Sequence, residues 1–195
     1  MKNLYLGKYL TLEQFCTCSK TYQKYSSQID PWPQQKASIQ ALQDLNQYLL
    51  DPIIAHYGSD SFQLTYGFCS ADLRRYLNQK DPVTGEKNGR IDPRRDQHMA
   101  CELNRNGRYY CDRRGAACDF SILGTSSDQV VSWIIEQQLP FDSLYYYGSQ
   151  RPIHLSHGPQ HKKALWTFTP TGQPTRKGIE PWLSRLQELM YQQTL

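Results

Sequence analysis

Apolar and polar positions divide the chain into recognisable elements. The longest helical pattern places Ile39, Leu42, Leu45, Leu49 and Ile53 at spacings of three and four, which makes one apolar face. Pro52 falls inside that pattern, so a bend or interruption near Leu49 is predicted, with Gly58 as the stop. Shorter helices carry their caps in the sequence. Thr11 opens T-L-E-Q, a capping box for a helix over Leu12 to Cys18. Ser70 caps a helix that reaches about Asn78 and turns Leu73 and Leu77 inward. Ser126 or Ser127 caps another, with Val130, Val131, Ile134 and Ile135 inside and Leu139-Pro140 at its end. Trp182, Leu186 and Leu189 give a closing amphipathic helix over about 179–192.

Alternation at Phe62, Leu64 and Tyr66 reads as a strand, and Leu144 to Tyr147, Ile153 to Ser156 and Ala164 to Thr169 read as three more. Tyr22 to Pro33, Lys80 to Arg95 and Thr169 to Gly178 read as polar loops. A loop as long as the second is, in a compact domain, usually functional or disordered. Asn106-Gly107 marks a tight hairpin, and the polar stretch from about Met99 to Arg114 around it reads as a surface insertion. Helices come first, strands cluster later, and no βαβαβ alternation occurs. The predicted class is α+β in one domain over 1–195: a central, mostly antiparallel sheet with flanking helices and an inserted hairpin.

Composition narrows the function classes modestly. The chain has a net charge of +4, a pI near 8.7 and a mean hydropathy of −0.71. That basicity permits contact with nucleic acid but does not argue for it. No run approaches the ~20 apolar residues of a membrane span, and the first residues lack the apolar core of a signal peptide, so a cytoplasmic location is expected. No P-loop, G-x-G-x-x-G or G-x-S-x-G occurs.

Candidate chemistry lies between Asp96 and His154. His98, Asp119 (closing G-A-A-C-D) and His154 (in R-P-I-H-L-S) supply two imidazoles and a carboxylate. That set suits a catalytic zinc ion with a fourth position open to water. Six cysteines offer a competing arrangement, since Cys101, Cys111 and Cys118 lie near His98 and a His–Cys₃ structural zinc could be drawn from them. The preferred reading of those residues is reduced, half-buried thiols.

The order of short motifs resembles the zinc D-alanyl-D-alanine carboxypeptidases and their relatives of the hedgehog/DD-peptidase fold, phage cell-wall peptidases included. Y-L-T-L-E-Q-F is similar to the family's opening helix, and A-L-Q-D-L-N-Q-Y-L-L-D-P-I-I-A-H-Y-G to its proline-containing helix. L-T-Y-G-F-C-S stands for I-x-S-G-Y-R-S, D-Q-H for S-Q-H, G-A-A-C-D for G-x-A-x-D, L-P-F-D-S-L for F-D-Q-L, and R-P-I-H-L-S for W-I-H-V-S. The matches are collinear over roughly residues 9 to 158. The resemblance implies His98, Asp119 and His154 as ligands of Zn²⁺, and hydrolysis of a peptide or peptidoglycan-like amide. The alternative it leaves is a degenerate member that keeps the fold as a ligand- or protein-binding module.

Three positions depart from the family pattern. Asp119 follows His98 by 21 residues where the family has seven. The family's general base, a glutamate upstream of the last histidine or a histidine two before it, is replaced here by Y-Y-Y-G and Pro152. The substrate-binding arginine of G-Y-R-S is Cys69. Candidate replacement bases are Glu102 and His157, Tyr145 or Tyr147 could donate to an oxyanion, and Arg74, Arg75 and Tyr147 are candidate substrate-binding residues.

Overall fold

The computed structural model describes residues 3–169, 171–175 and 184. The closing helix expected over about 179–192 lies outside the described residues. Six helices and six strands are described: α1 (Leu12–Thr17), α2 (Lys20–Tyr25), α3 (Lys36–Leu45), α4 (Asp51–Tyr57), β1 (Phe62–Tyr66), α5 (Ala71–Leu77), β2 (Ala116–Ile122), α6 (Ser127–Glu136), β3 (Ser143–Tyr146), β4 (Ile153–His157), β5 (Ala164–Phe168) and β6 (Pro174–Thr175). The protein is mixed α+β, with one sheet in the order β1-β2-β4-β3-β5-β6. Every pairing is antiparallel except β3 with β5. Among the described residues no helix is long and apolar enough to cross a membrane.

The capped helices form where their caps stand. Thr11 and Gln14 complete the box on α1, Ser70 caps α5, and Ser126 with Gln129 boxes α6. The long apolar pattern becomes α3 and α4 joined by a π-helical turn at Asn46–Leu50, immediately before Pro52. Proline lacks an N–H and its ring crowds the preceding turn, so the wider π turn accommodates it without breaking the rod. Leu42, Leu45, Leu49, Ile53 and Ile54 all lie in the main core. α3 packs on β2 and β4, burying Cys118, Phe120 and Leu155 on that face of the sheet.

Two expected loops contain regular structure. Tyr22 to Pro33 begins inside α2, a helix of six residues capped by Ser19 and too short for its apolar spacing to register. Thr169 to Gly178 contains the edge strand β6. Lys80 to Arg95 is the polar loop expected, tied by a single bridge between Lys80 and Lys87.

The stretch from Met99 to Arg114 is only partly a surface insertion. Its tip is a hairpin closed by a Leu103–Tyr109 bridge, with Gly107 at φ +70°. Its two bases, however, are core: Met99, Ala100, Cys101 and Cys111 are all buried. Glu102 explains why this segment is pinned. Its Oε1 accepts hydrogen bonds from the N–H groups of Gln34 and Gln35 (3.1 Å each) and from Ser38 Oγ (2.7 Å). Gln35 offers α3 no side-chain cap, so a carboxylate from 67 residues away satisfies the helix N-terminus and meets the positive end of its dipole. Glu102→Ala is expected to lower stability by about 2 kcal/mol in urea unfolding, with metal bound per chain unchanged.

Candidate metal centre

The sheet register builds most of the centre. Asp119 on β2 pairs directly with His154 on β4, and antiparallel partners point to the same face with their β-carbons about 5 Å apart. His154 in turn pairs with Tyr145 on β3, and Tyr145 with Trp166 on β5. On the other side a bulge in β1 brings Tyr66 opposite Asp119, although Leu64 pairs with Phe120 on the helix-covered face. Thr65, the extra residue, donates its hydroxyl to the Asp119 carbonyl at 3.0 Å. One transverse row, Tyr66–Asp119–His154–Tyr145–Trp166, therefore crosses five strands and floors a cleft of about 850 Å³.

His98 reaches the same point from the loop before the hairpin. Its backbone carbonyl accepts from Cys69 N–H at 2.8 Å, and its ring lies edge-on to Tyr66. Nδ1 is 2.9 Å from the Gly67 carbonyl, which can only accept, so Nδ1 carries a proton and Nε2 faces Asp119 Oδ1 at 3.3 Å. Gly67 cannot carry a side chain: a β-carbon there would stand 2.1 Å from the Phe15 carbonyl. Close packing of α1 on Gly67 thus sets the carbonyl that orients His98.

A half-buried guanidinium holds this loop against β3. Arg113 donates to the Arg95 carbonyl (2.9 Å), Gln97 Oε1 (2.7 Å), Asp142 Oδ2 (2.8 Å) and Ser143 Oγ (2.8 Å). Tyr145 donates its hydroxyl to the same Arg95 carbonyl at 2.9 Å while its ring stacks on His154 at 4.5 Å. The segment carrying His98 and the strand backing His154 therefore share one acceptor.

His98 Nε2, Asp119 Oδ1 and His154 Nδ1 converge, with donor atoms of the three residues within 4.8 Å of one another. His154 Nδ1 lies 2.8 Å from Asp119, and its Nε2 is buried with no partner among the described residues, so Asp119 is its one polar contact. Burial alone would depress the His98 imidazole, but Asp119, Asp96 and the Gly67 carbonyl outweigh it and raise its pKa to about 9. Burial would likewise favour the neutral acid at Asp119, yet the two imidazoles hold its carboxyl well below the usual carboxylate range. These groups already concentrate opposite charge at one point, and two imidazole nitrogens with one carboxylate oxygen fit a divalent cation.

The other sequence candidates lie elsewhere. Glu102 is committed to α3. His157 shares β4 with His154 but an odd number of residues away, so its ring stacks on Tyr48 (5.3 Å) on the opposite face, where burial and His161 lower its pKa. Arg74 lies over the Tyr110 ring and Arg75 pairs with Asp72 at 3.4 Å; neither lines the cleft. Leu73 and Leu77 anchor α5 in a separate small core, which turns the arginine face away. Tyr147 and Tyr145 do line the cleft. Asp96, Arg90, Arg95, Arg113 and Arg151 line it too and are not singled out by sequence, although the long polar loop carrying Arg90 and Arg95 reads as functional or disordered. The described cysteines are all free, and burial pushes up the thiols of Cys101, Cys111 and Cys118, the candidates for a His–Cys₃ site, which disfavours the thiolate a metal needs.

No family model, curated protein or solved structure matches this chain.

His98→Ala, Asp119→Ala and His154→Ala should each abolish binding of one divalent ion per chain, whereas Cys101→Ser and Cys118→Ser should retain it by metal analysis. The pH response has a defined sign. A histidine raised to about 9 stabilises the metal-free fold fully below its ordinary pKa of 6.5, and that contribution disappears as pH rises through 9. Asp119, depressed, contributes above its ordinary value of 3.8 and loses that contribution as pH falls through its lower folded value. Metal must displace the His98 proton, so binding at pH 7 should release about one proton, and apparent affinity should rise about tenfold per pH unit until about pH 9. Calorimetry in buffers of different ionisation enthalpy measures both.

Proposed function

We propose that this protein is a zinc-dependent peptidase or amidase of the D-alanyl-D-alanine carboxypeptidase type, with a hedgehog/DD-peptidase-like fold. The observation that carries the reading is the convergence of His98, Asp119 and His154 on the floor of an open cleft. The collinear motifs from residue 9 to 158 support the family assignment, and the mostly antiparallel sheet is compatible with it. His98 Nε2, Asp119 Oδ1 and His154 Nδ1 would hold the ion. When bound, zinc supplies Lewis acidity and lowers the pKa of a coordinated water. The substrate class is a peptide or peptidoglycan-like amide small enough to enter the cleft.

The chain's own residues supply the rest. The carboxylates lining the cleft are Asp92, Asp96 and Asp119. Asp119 belongs to the ligand set and Asp92 pairs with Arg95 at 3.4 Å, which leaves Asp96 as the proton acceptor. It is fixed in place by the N–H groups of Asp92 (3.0 Å) and His98 (3.3 Å). Tyr66, Tyr145 and Trp166 flank Asp119 and His154 in the same row.

Neither Glu102 nor His157 faces the cleft, and this favours one second reading, a member that binds its ligand without hydrolysing it. The experiment is turnover of a dipeptide panel by the zinc-loaded protein. Asp96→Asn should cut the rate by about 10²–10⁴-fold at unchanged zinc content. Full activity in that variant removes Asp96 from the role. A wild type that binds zinc and turns over no dipeptide or cell-wall fragment favours the binding module.

A further inference from the structure

The cleft continues well beyond the metal centre. From His154 a run of rings leads outward: Tyr145 at 4.5 Å, Phe168 at 5.4 Å from Tyr145, and Tyr147 at 4.7 Å from Phe168. Tyr147 is 39% exposed; burial pushes its phenol up, and the Arg90 charge partly offsets this. The Arg90 guanidinium stands beside the turn at Gly172, with Nη1 3.7 Å from where a β-carbon there would begin. Arg151 lays its stem beside Gly148, the residue after Tyr147, also at 3.7 Å. Both arginines therefore stand at the Tyr147 end of the ring run.

Five arginines line this one concavity: Arg90, Arg94, Arg95, Arg113 and Arg151. Arg95 is paired with Asp92 and Arg113 with Asp142. Arg90, Arg94 and Arg151 have no carboxylate partner among the described residues. Exposed arginines are ordinarily solvated surface charges. Here they face one cleft that five aromatic side chains also line, and its acids are Asp92, paired with Arg95, Asp119 in the ligand set, and Asp96, held by two backbone N–H groups.

We propose that Arg90 and Arg151 form a second, anion-binding subsite beyond Tyr147. The ligand it fits is elongated: one end at the triad, an apolar or aromatic body along Tyr145, Phe168 and Tyr147, and a carboxylate or phosphate at the far end. Guanidinium forks match both anions, and aromatic faces give the body its contact area. Tyr145 pairs with His154, so Tyr147 is the diagonal neighbour of His154, about 7–8 Å away, and a subsite beyond it lies roughly 10 Å from His154. A dipeptide's own terminal carboxylate, about 3.5 Å per residue from the scissile amide, does not reach that far. The anion is thus a second charge on the substrate. The metal end of this inference rests on the function proposed above; the arginine end does not.

The test measures calorimetric affinities of biphenyl-4-hydroxamate and its 4′-carboxy and 4′-phosphono derivatives for the zinc-loaded protein. The 4′-carboxy compound should bind about tenfold tighter than the parent, the effect of one well-placed charge-assisted pair. That preference should vanish in the Arg90→Met, Arg151→Met double variant and persist in Arg75→Met, which lies off the cleft. Tighter binding of the phosphono than the carboxy compound identifies phosphate as the natural anion, and the reverse order identifies carboxylate. Equal affinity of all three for wild type, or a preference that survives the double variant, overturns the subsite. A parallel arm compares biphenyl-4-carboxylate with biphenyl-4-methanol on metal-stripped protein. Arginine-dependent preference there, with no hydroxamate binding to the zinc-treated protein, retains the subsite and removes the metal reading. Absence of arginine-dependent preference in both arms removes the subsite.

Discussion

The register between β2 and β4 is the constraint on which the site depends. Asp119 meets His154 only because Ala116 is opposite His157 and Phe120 opposite Ile153. A slip of one residue would turn the aspartate into the helix-covered core and set Cys118 or Phe120 against the imidazole. Both faces of these strands are filled, and that filling fixes the register more firmly than any turn does: Cys118, Phe120 and Leu155 are buried under α3, and the ligand row lies on the other side. Gly115 anchors the near end. It sits at φ +79°, and a β-carbon there would fall 2.1 Å from the His157 carbonyl, so no other residue allows β2 to begin so close to the end of β4.

The third ligand arrives by a different route and is held by different means. His98 belongs to no strand. Its position follows from the Gly67 carbonyl on one side and the Arg113 network on the other. Arg113 comes from the far base of the same hairpin whose near base supplies Glu102 to α3. The hairpin therefore couples the long helix, the ligand loop and β3 through two ion-supported junctions, while its exposed tip takes no part. A buried carboxylate with a half-buried guanidinium at 2.8 Å is costly to leave unpaired, which gives the loop a defined geometry.

The sequence was most legible where local chemistry decides structure. Thr11, Ser70 and Ser126 announced their helices because a cap is a local hydrogen bond. The ligand triad was legible because residue type limits what binds a cation. β2 is the strand the pattern missed: Cys118, Phe120 and Ile122 alternate with half-buried Asp119 and Ser121, but the buried Ala116 and Ala117 before them make its start read as a small-residue run. Glu102 looked like a free acid because its partners lie 64 to 68 residues away. Arg74 and Arg75 looked suited to a clamp, yet α5 packs into its own small core and directs them elsewhere. The cleft arginines sit in a loop whose polarity signals exposure without indicating what the loop faces.

The π turn before Pro52 sets the angular phase of everything after it. Each helical residue advances about 100°, so one extra residue in a turn rotates the downstream rod by about that angle relative to an unbroken α-helix. Projected as continuous α, Leu49 and Ile53 continue the stripe defined by Leu42 and Leu45 while Leu50 and Ile54 stand to one side; the wide turn swings Leu50 and Ile54 round to it, and all six are essentially inaccessible to solvent. The five residues from Asn46 to Leu50 thus work as a gear with a fixed number of teeth. Removing one would not shorten a spacer. It would turn α4 on its axis by about 100° and carry Leu50 and Ile54 away from the stripe they share with Leu42 and Leu45.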